Sequence, residues 1–519
     1  MKKLKKFLSS STFHLAVLYL VELVLTVMLG LYIKGNVFVQ YKWFDYLIAS
    51  LKGLTVLMFI YVLLHEHLDY AYRVNWFILF ILSPTFGGLI YLLCAAKRPL
   101  PKKWRKQYRR TKSYRNDIFF SENNLSENNR IEGLTKFNGH SAKIASYVTK
   151  NVYTSVFAAT DNLKFYPSGE ETWRDILKSL NEAKQYIYLE FYIISCGKLW
   201  EAVEQVLLKK AGEGVEIKIL YDDMGSLGRF KPSVIKKLKA SGIQTCQFNK
   251  VKMHLDYYLN FRNHRKIVIT DGNTAYTGGI NLADEYVNIN SPYGHWYDTG
   301  IRLTGNQAED ALKIFRLDWE FATKKHLDIP KAIKKETHES NGFTQLYLAS
   351  PFDDSPVARN VFLTMLNNAR KKFYIATPYL ALDKTTLEAL VIASQSGVDV
   401  RIVVPGIPDK KIVYIITRGY FNTLIKSGVK IYTYTPGFLH AKLLYADDEI
   451  ASVGSANIDY RSFYINFESG VLLYKTDCLK DINASFTDLF KQSEKQHYKK
   501  QSVWFKIKHM FVRFLIPLC

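Results

Sequence analysis

Cysteine is scarce in this sequence, and bases outnumber acids. The 5 cysteines among 519 residues, at 94, 196, 246, 478 and 519, form neither a CxxC spacing nor a paired framework. That argues against a disulfide scaffold and against structural zinc, and it fits domains kept in a reducing compartment. Only 47 Asp and Glu stand against 70 Lys and Arg, for a formal net charge of +23. The partner is therefore anionic, although charge alone does not choose between nucleic acid and a membrane bearing acidic lipids. Histidine is sparse too, at 12 residues, so a pattern that uses it twice at one spacing carries information.

Apolar sequence is abundant at the N-terminus. Three runs, 12–33, 44–64 and 74–96, each approach the roughly 20 residues that cross a bilayer, with Trp and Tyr near their ends. None is wholly apolar, since they contain Glu22, Lys52, and Pro84 with Gly87-Gly88. They read as three transmembrane helices in a membrane anchor over 1–115. Lys97, Arg98, Lys102, Lys103, Arg105, Lys106, Arg109, Arg110 and Lys112 follow with no acid among them. The positive-inside bias puts this flank, and the chain beyond it, in the cytoplasm. Lys2, Lys3, Lys5 and Lys6 also prefer the inside, and three crossings cannot satisfy both ends; the larger cluster is expected to prevail. A multi-pass protein of the cytoplasmic membrane is the expectation, with anionic lipids rather than nucleic acid as partner.

The chemistry lies in a duplicated pattern. His264-x-Lys266-x4-Asp271 continues through Gly278-Gly279-x-Asn281, and His440-x-Lys442-x4-Asp447 continues through Gly454-Ser455-x-Asn457; every member of the second copy lies 176 residues after its counterpart. A lone His-x-Lys is ordinarily a strand histidine beside a solvated lysine. A second copy in register, with its Gly/Asn extension, is an internal repeat of chemical groups.

Each His and Lys begins an alternating apolar stretch, His264-Arg265-Lys266-Ile267-Val268-Ile269 and His440-Ala441-Lys442-Leu443-Leu444-Tyr445. In a strand, residues i and i+2 share a face, so imidazole and ammonium are expected side by side. Asp271 and Asp447 fall at strand ends, before Asp271-Gly272-Asn273 and Asp447-Asp448-Glu449, which read as turns, and are expected to anchor the strands. In the small-residue loops that follow, backbone amides can approach an anion, with Asn281 and Asn457 as phosphate-binding donors. Two such units facing each other offer two His, two Lys and two Asn. That inventory suits a phosphodiester, whose charge fixed donors can cancel as phosphorus becomes five-coordinate, so no metal or cofactor is expected.

The rest of the chain reads as α/β. The polar stretch 116–145 is a linker. From 146 to 330, β-rich runs alternate with helical ones, and 343–490 repeats that order after a charged linker at 331–342. In the tail, 491–519, Trp504, Ile507, Phe511, Phe514 and Leu518 fall at roughly helical spacing, with Lys506, His509 and Arg513 on another side. That basic amphipathic pattern suits either the headgroup region or packing on the body.

The duplicated motif resembles the signature of the phospholipase D superfamily and, within it, the bacterial cardiolipin synthases. The likeness covers nearly the whole chain, including Tyr188-Leu189-Glu190-Phe191-Tyr192, Trp296-Tyr297-Asp298-Thr299, Thr377-Pro378-Tyr379, Val404-Pro405-Gly406-Ile407-Pro408-Asp409, and Gly454 to Ser462 followed by Asn466 and Glu468. It implies a phospholipase D-like fold of two pseudo-symmetric α/β halves with the active site between them. It also implies transfer of a phosphatidyl group from one phosphatidylglycerol to another, giving cardiolipin and glycerol through a phosphohistidine. His264 is then the attacking residue and His440 the acid and base. Each imidazole needs a carboxylate on its other nitrogen. Glu468 resembles the family position that orients His440. The same spacing from the first copy falls on Pro292, so Asp298 is the expected partner of His264, with Glu285 the alternative. A hydrolase of the same superfamily shares this chemistry; a nuclease is disfavoured by the apolar N-terminus, and a non-catalytic scaffold by two intact motifs.

Overall fold

The computed structural model describes residues 42–64, 76–78, 80–81, 134, 139–152, 154–251, 260–329 and 337–513. The chain divides into two compact units, Met1–Pro101 with Val251–Asn260, and Lys102–Lys250 with Phe261–Cys519.

In the first unit a 22-residue helix, Lys42–Leu63, covers the second apolar run. It buries Met58 and Val62 against Trp76 and Phe80, and Phe59 stacks on Phe77 with centroids 4.6 Å apart. Val56, Leu57, Ile60, Leu63 and Leu64 are exposed. Among the described residues no helix is long and apolar enough to cross a membrane, and this one carries Lys42, Asp45 and Lys52. The run 12–33, most of 74–96 and the basic cluster 97–112 lie outside the described residues.

The second unit contains two large sheets. One has seven strands in the order Lys164–Tyr166, Gly300–Thr304, Thr274–Gly278, Ile267–Thr270, Tyr186–Phe191, Glu216–Asp222, Gln244–Phe248. The other has nine: Val156–Thr160, Glu339–Ala349, Glu468–Tyr474, Ile450–Gly454, Leu443–Ala446, Lys372–Ala376, Asp399–Pro405, Lys430–Tyr434, Ser493–Lys495. All seven strands of the first sheet match seven consecutive strands of the second, in order and in parallel or antiparallel sense. The sequence repeat is therefore a repeat of tertiary structure.

The local causes are ordinary. Parallel strands need helical crossovers, supplied by Lys198–Gly212 and Pro232–Ala240 in one half and Lys384–Gln395 and Lys411–Lys426 in the other. Tyr186–Phe191 is buried throughout, as a strand covered on both faces must be. Helix Gly169–Glu182 starts where the Ser168 hydroxyl accepts from the Glu171 N–H, and Lys384–Gln395 where Asp383 accepts from Thr386.

Several boundaries depart from the sequence reading. Helix Gly139–Val152 begins inside the expected 116–145 linker, because Ile144, Ala145 and Val148 are buried, and strand Ser493–Lys495, in the expected 491–519 tail, pairs with Lys430–Tyr434. Strand Glu339–Ala349 starts inside the expected 331–342 linker, because its first residues pair with Val156–Thr160. Val156–Thr160, expected in the first half, thereby forms the edge of the second half's sheet. In the tail, helix Val503–Arg513 packs on Lys411–Lys426, with the His509 and Tyr420 rings 6.3 Å apart and the Arg418 guanidinium 5.9 Å over Phe505. Trp504 is exposed, so it lies off the packed face, and residues 514–519 lie outside the described residues.

Candidate active site

His264 and Lys266 lie just before the strand Ile267–Thr270, and His440 and Lys442 just before Leu443–Ala446, rather than within the strands as alternation suggested. These segments have left their own sheets to pair with the opposite half. The His264 N–H donates to Phe467 O at 2.9 Å, and the His440 N–H to Tyr297 O at 2.7 Å. All four side chains are buried, and each His and Lys senses at least one charge from the other half.

That exchange crosses the carboxylates, and it corrects the expected pairing. His264 Nδ1 lies 3.0 Å from both oxygens of Glu468, and His440 Nδ1 lies 2.6 Å from Asp298 Oδ2. Glu285, the alternative partner for His264, instead meets Arg229 at 2.9 Å. Strand register explains the placement. Gly278 pairs with Gly300 and Gly454 with Gly470, so Asp298 and Glu468, each two residues before the second glycine, occupy equivalent positions. Twenty-two residues separate the first pair and sixteen the second, which is why a fixed spacing lands on Pro292. Ser455 donates to Glu468 at 2.5 Å and Asn466 at 3.1 Å. The residue equivalent to Ser455 is Gly279, where an added Cβ would stand 2.1 Å from Asp298 Oδ1.

Asp271 accepts from the backbone N–H groups of Lys184, Gln185 and Tyr186, and Asp447 from those of Arg370, Lys371 and Lys372. Both thereby secure the start of an interior strand of their sheet, Tyr186–Phe191 or Lys372–Ala376. Both take left-handed backbone angles, φ 52° and 55°, in the turns that follow the motif strands. Asn281 accepts from the Ile193 N–H at 3.0 Å and donates to the Tyr286 hydroxyl at 2.7 Å; Asn457 donates to Asp459 at 3.0 Å. Each amide is thus a brace in its loop, with a second N–H on the same nitrogen.

Burial dominates the electrostatics. It lowers Lys266 to about 7 and Lys442 to about 8, against the pull of Glu468 and Asp298. It lowers His264 to about 4 although Glu468 favours its cation, and it holds His440 well below the usual imidazole value, with both lysines adding to the effect. The carboxylates diverge. Burial raises Asp298 to about 7, whereas the opposing influence of His264, Lys266 and Ser455 holds Glu468 below the usual range. Among the described residues no group of three His, Cys, Asp or Glu is placed to hold a metal ion.

Several contributors lie outside the duplicated motif. His440 is enclosed by Tyr286, Trp296 and Phe438, with centroids at 5.2, 5.3 and 5.8 Å, whereas Tyr192 stands edge-on to His264 at 5.0 Å. Arg265, between His264 and Lys266, points away from them to Asp318 and donates to the carbonyls of Glu468 and Ala349. Its counterpart is Ala441, so the two halves are backed differently.

The family model described as cardiolipin synthase, phospholipase D-like domain, matches residues 176–309 and 362–490. Cardiolipin synthase 2 of Bacillus cereus is 32% identical, with 86% of each chain covered, and the major cardiolipin synthase of Bacillus subtilis is 32% identical over 90% of this chain and 97% of its own. An uncharacterized protein of Streptococcus mutans is 37% identical over 74% of this chain and 84% of its own. The crystal structure of phosphatidylserine synthase from Haemophilus influenzae superposes with a TM-score of 0.56 at 14% identity, over 73% of this chain and 98% of that one, which speaks to fold alone. With a duplicated sheet, two crossed His–carboxylate pairs and relatives aligned along most of its length, the chain belongs to the cardiolipin synthase family of phospholipase D-like proteins.

Proposed function

We propose that this protein is a membrane-bound cardiolipin synthase that transfers a phosphatidyl group between two phosphatidylglycerol molecules. The observation that carries the reading is the pair of crossed contacts. With each Nδ1 facing a carboxylate, Nε2 of His264 is left for chemistry, while Nε2 of His440 lies 3.0 Å from the buried Lys442 ammonium, a donor that a phosphoryl oxygen would draw away.

His264 Nε2 attacks phosphorus, and the bond from phosphorus to the glycerol headgroup breaks as His440 protonates the departing oxygen. The headgroup hydroxyl of a second phosphatidylglycerol then gives its proton to His440 and attacks phosphorus. The P–N bond breaks, leaving cardiolipin. Two easier displacements replace one. Lys266 and Lys442, with the remaining N–H groups of Asn281 and Asn457, counter the charge on the phosphoryl oxygens. The ionised Glu468 suits the residue that must carry a cationic phosphoimidazole. Asp298, raised toward neutrality, suits the residue that passes a proton both ways.

The apolar runs 12–33, 44–64 and 74–96 are read as anchoring the chain in the cell membrane, with the catalytic halves in the cytoplasm. The exposed Leu57, Ile60 and Leu63 of the Lys42–Leu63 helix support membrane contact. The test is to give the purified protein phosphatidylglycerol alone and separate the lipids. Cardiolipin with glycerol is expected; phosphatidic acid alone would assign hydrolysis, and no turnover would overturn both.

A further inference from the structure

Outside the C-terminal tail, the described residues of the catalytic unit expose six large aliphatic side chains: Met224, Leu227, Ile289, Ile392, Ile407 and Ile412. Scattered singly, such residues need no explanation. These are not scattered. Five of the six, all but Ile392, lie on or beside loops that touch the catalytic histidines' immediate neighbours.

Met224 and Leu227 belong to the loop after strand Glu216–Asp222. Ser226 in that loop accepts from the Ile194 N–H at 3.0 Å and donates to Tyr192 O at 3.2 Å, and the Tyr192 ring stands against His264. Ile407 belongs to the equivalent loop of the other half, after Asp399–Pro405. Its N–H donates to Gly437 O, three residues before His440, at 3.1 Å. Asp409 in the same loop accepts from the Tyr379 hydroxyl at 2.6 Å, with the Lys410 ammonium 5.2 Å over that ring. Ile412 opens the helix that follows. Ile289 adjoins Asn288, whose side chain accepts from the Trp296 N–H at 2.7 Å beside His440. Lys231, Lys410 and Lys411, exposed near these aliphatics, add positive charge.

We propose that these loops form the surface by which the catalytic unit docks on an anionic lipid bilayer, an inference that rests on the phosphatidylglycerol substrate proposed above. Exposed apolar side chains with exposed lysines close to them in the chain match a headgroup layer of negative charge over acyl chains. The repeat places one such loop beside each histidine. A lipid could then move from the bilayer to the buried phosphate site without its acyl chains crossing open water.

The test uses the full chain with its five native cysteines replaced, carrying Leu227→Cys, Ile407→Cys or Ile392→Cys, each labelled with a fluorophore. Each form is reconstituted into vesicles containing nitroxide-labelled lipid, with phosphatidylglycerol or with phosphatidylcholine alone. Quenching at 227 and 407 should exceed that at 392 by about twofold or more in phosphatidylglycerol, and should fall in phosphatidylcholine. Equal quenching at all three positions, none at 227 and 407, or no dependence on phosphatidylglycerol would overturn the docking surface. Cardiolipin formation is followed in the same vesicles. Synthesis without loop contact removes the docking surface and leaves the function; loop contact without synthesis removes the function and leaves the docking surface.

Discussion

Glu468, in the second half of the repeat, holds the imidazole of His264, in the first, with both carboxylate oxygens 3.0 Å from Nδ1. Asp298 does the converse for His440. Neither half therefore contains a complete His–carboxylate unit, and damage to either carboxylate should be felt at the histidine of the other half. Glu468→Gln should slow trapping of labelled phosphatidyl on His264 by about 100-fold. Asp298→Asn should slow turnover of phosphatidylglycerol by a similar factor yet recover when the leaving alcohol is activated and needs no proton. Loss of trapping in Asp298→Asn with normal trapping in Glu468→Gln would reverse the two roles.

Asp271→Ala and Asp447→Ala should act through stability. Each removes the acceptor for three backbone N–H groups at the start of an interior strand, at a cost of about 2–4 kcal/mol. Asn, which keeps one acceptor oxygen, should cost less. Thermal unfolding checks this: an unchanged melting temperature with lost activity would put the aspartates in the reaction itself.

The pH profile should show the buried lysines. With Lys266 at about 7 and Lys442 at about 8 in the free protein, both lose their charge as pH rises through that range, so kcat/KM should decline there. A bound phosphodiester favours the ammonium forms, and the alkaline limb of kcat should lie higher. His264, at about 4, stays neutral for attack above that pH. Stability should move the opposite way. Because these lysines bind protons less readily folded than unfolded, wild-type stability should rise from about pH 7 toward 10, and Lys266→Met should flatten that rise. Coincident alkaline limbs for kcat and kcat/KM would sever the lysines from substrate charge.

Chelators should leave turnover intact, since buried lysines supply the positive charge that a metal supplies elsewhere. Inhibition by EDTA that a divalent cation reverses would refute this.

Topology is open to direct labelling. In intact cells, with the native cysteines replaced, a cysteine near Ser9 should react with an impermeant thiol reagent and one near Asn128 should not, because the basic cluster after the third run outweighs the N-terminal lysines. Labelling near Asn128 would put catalysis on the outer leaflet; labelling of neither would mean that the first run does not cross.

The duplicated His264/His440 motif, its aspartate turns and the βα order of each half were legible in the chain, because each rests on local spacing: side-chain alternation, turn residues and helical periodicity act over a few residues. The partner of each histidine was not. Asp298 and Glu468 are equivalent through their strand register to Gly278 and Gly454, and loops of unequal length hide that equivalence along the sequence. The crossing itself depends on which half each motif segment hydrogen-bonds to, through Phe467 and Tyr297. The contacts of Tyr286 and Trp296 with His440 and the edge strand Val156–Thr160 likewise bring together residues more than a hundred positions apart. The sequence by itself determined which chemical groups this protein repeats. Only the tertiary structure decided which of them serve one another, since that pairing is set by long-range backbone hydrogen bonds that leave no period in the chain.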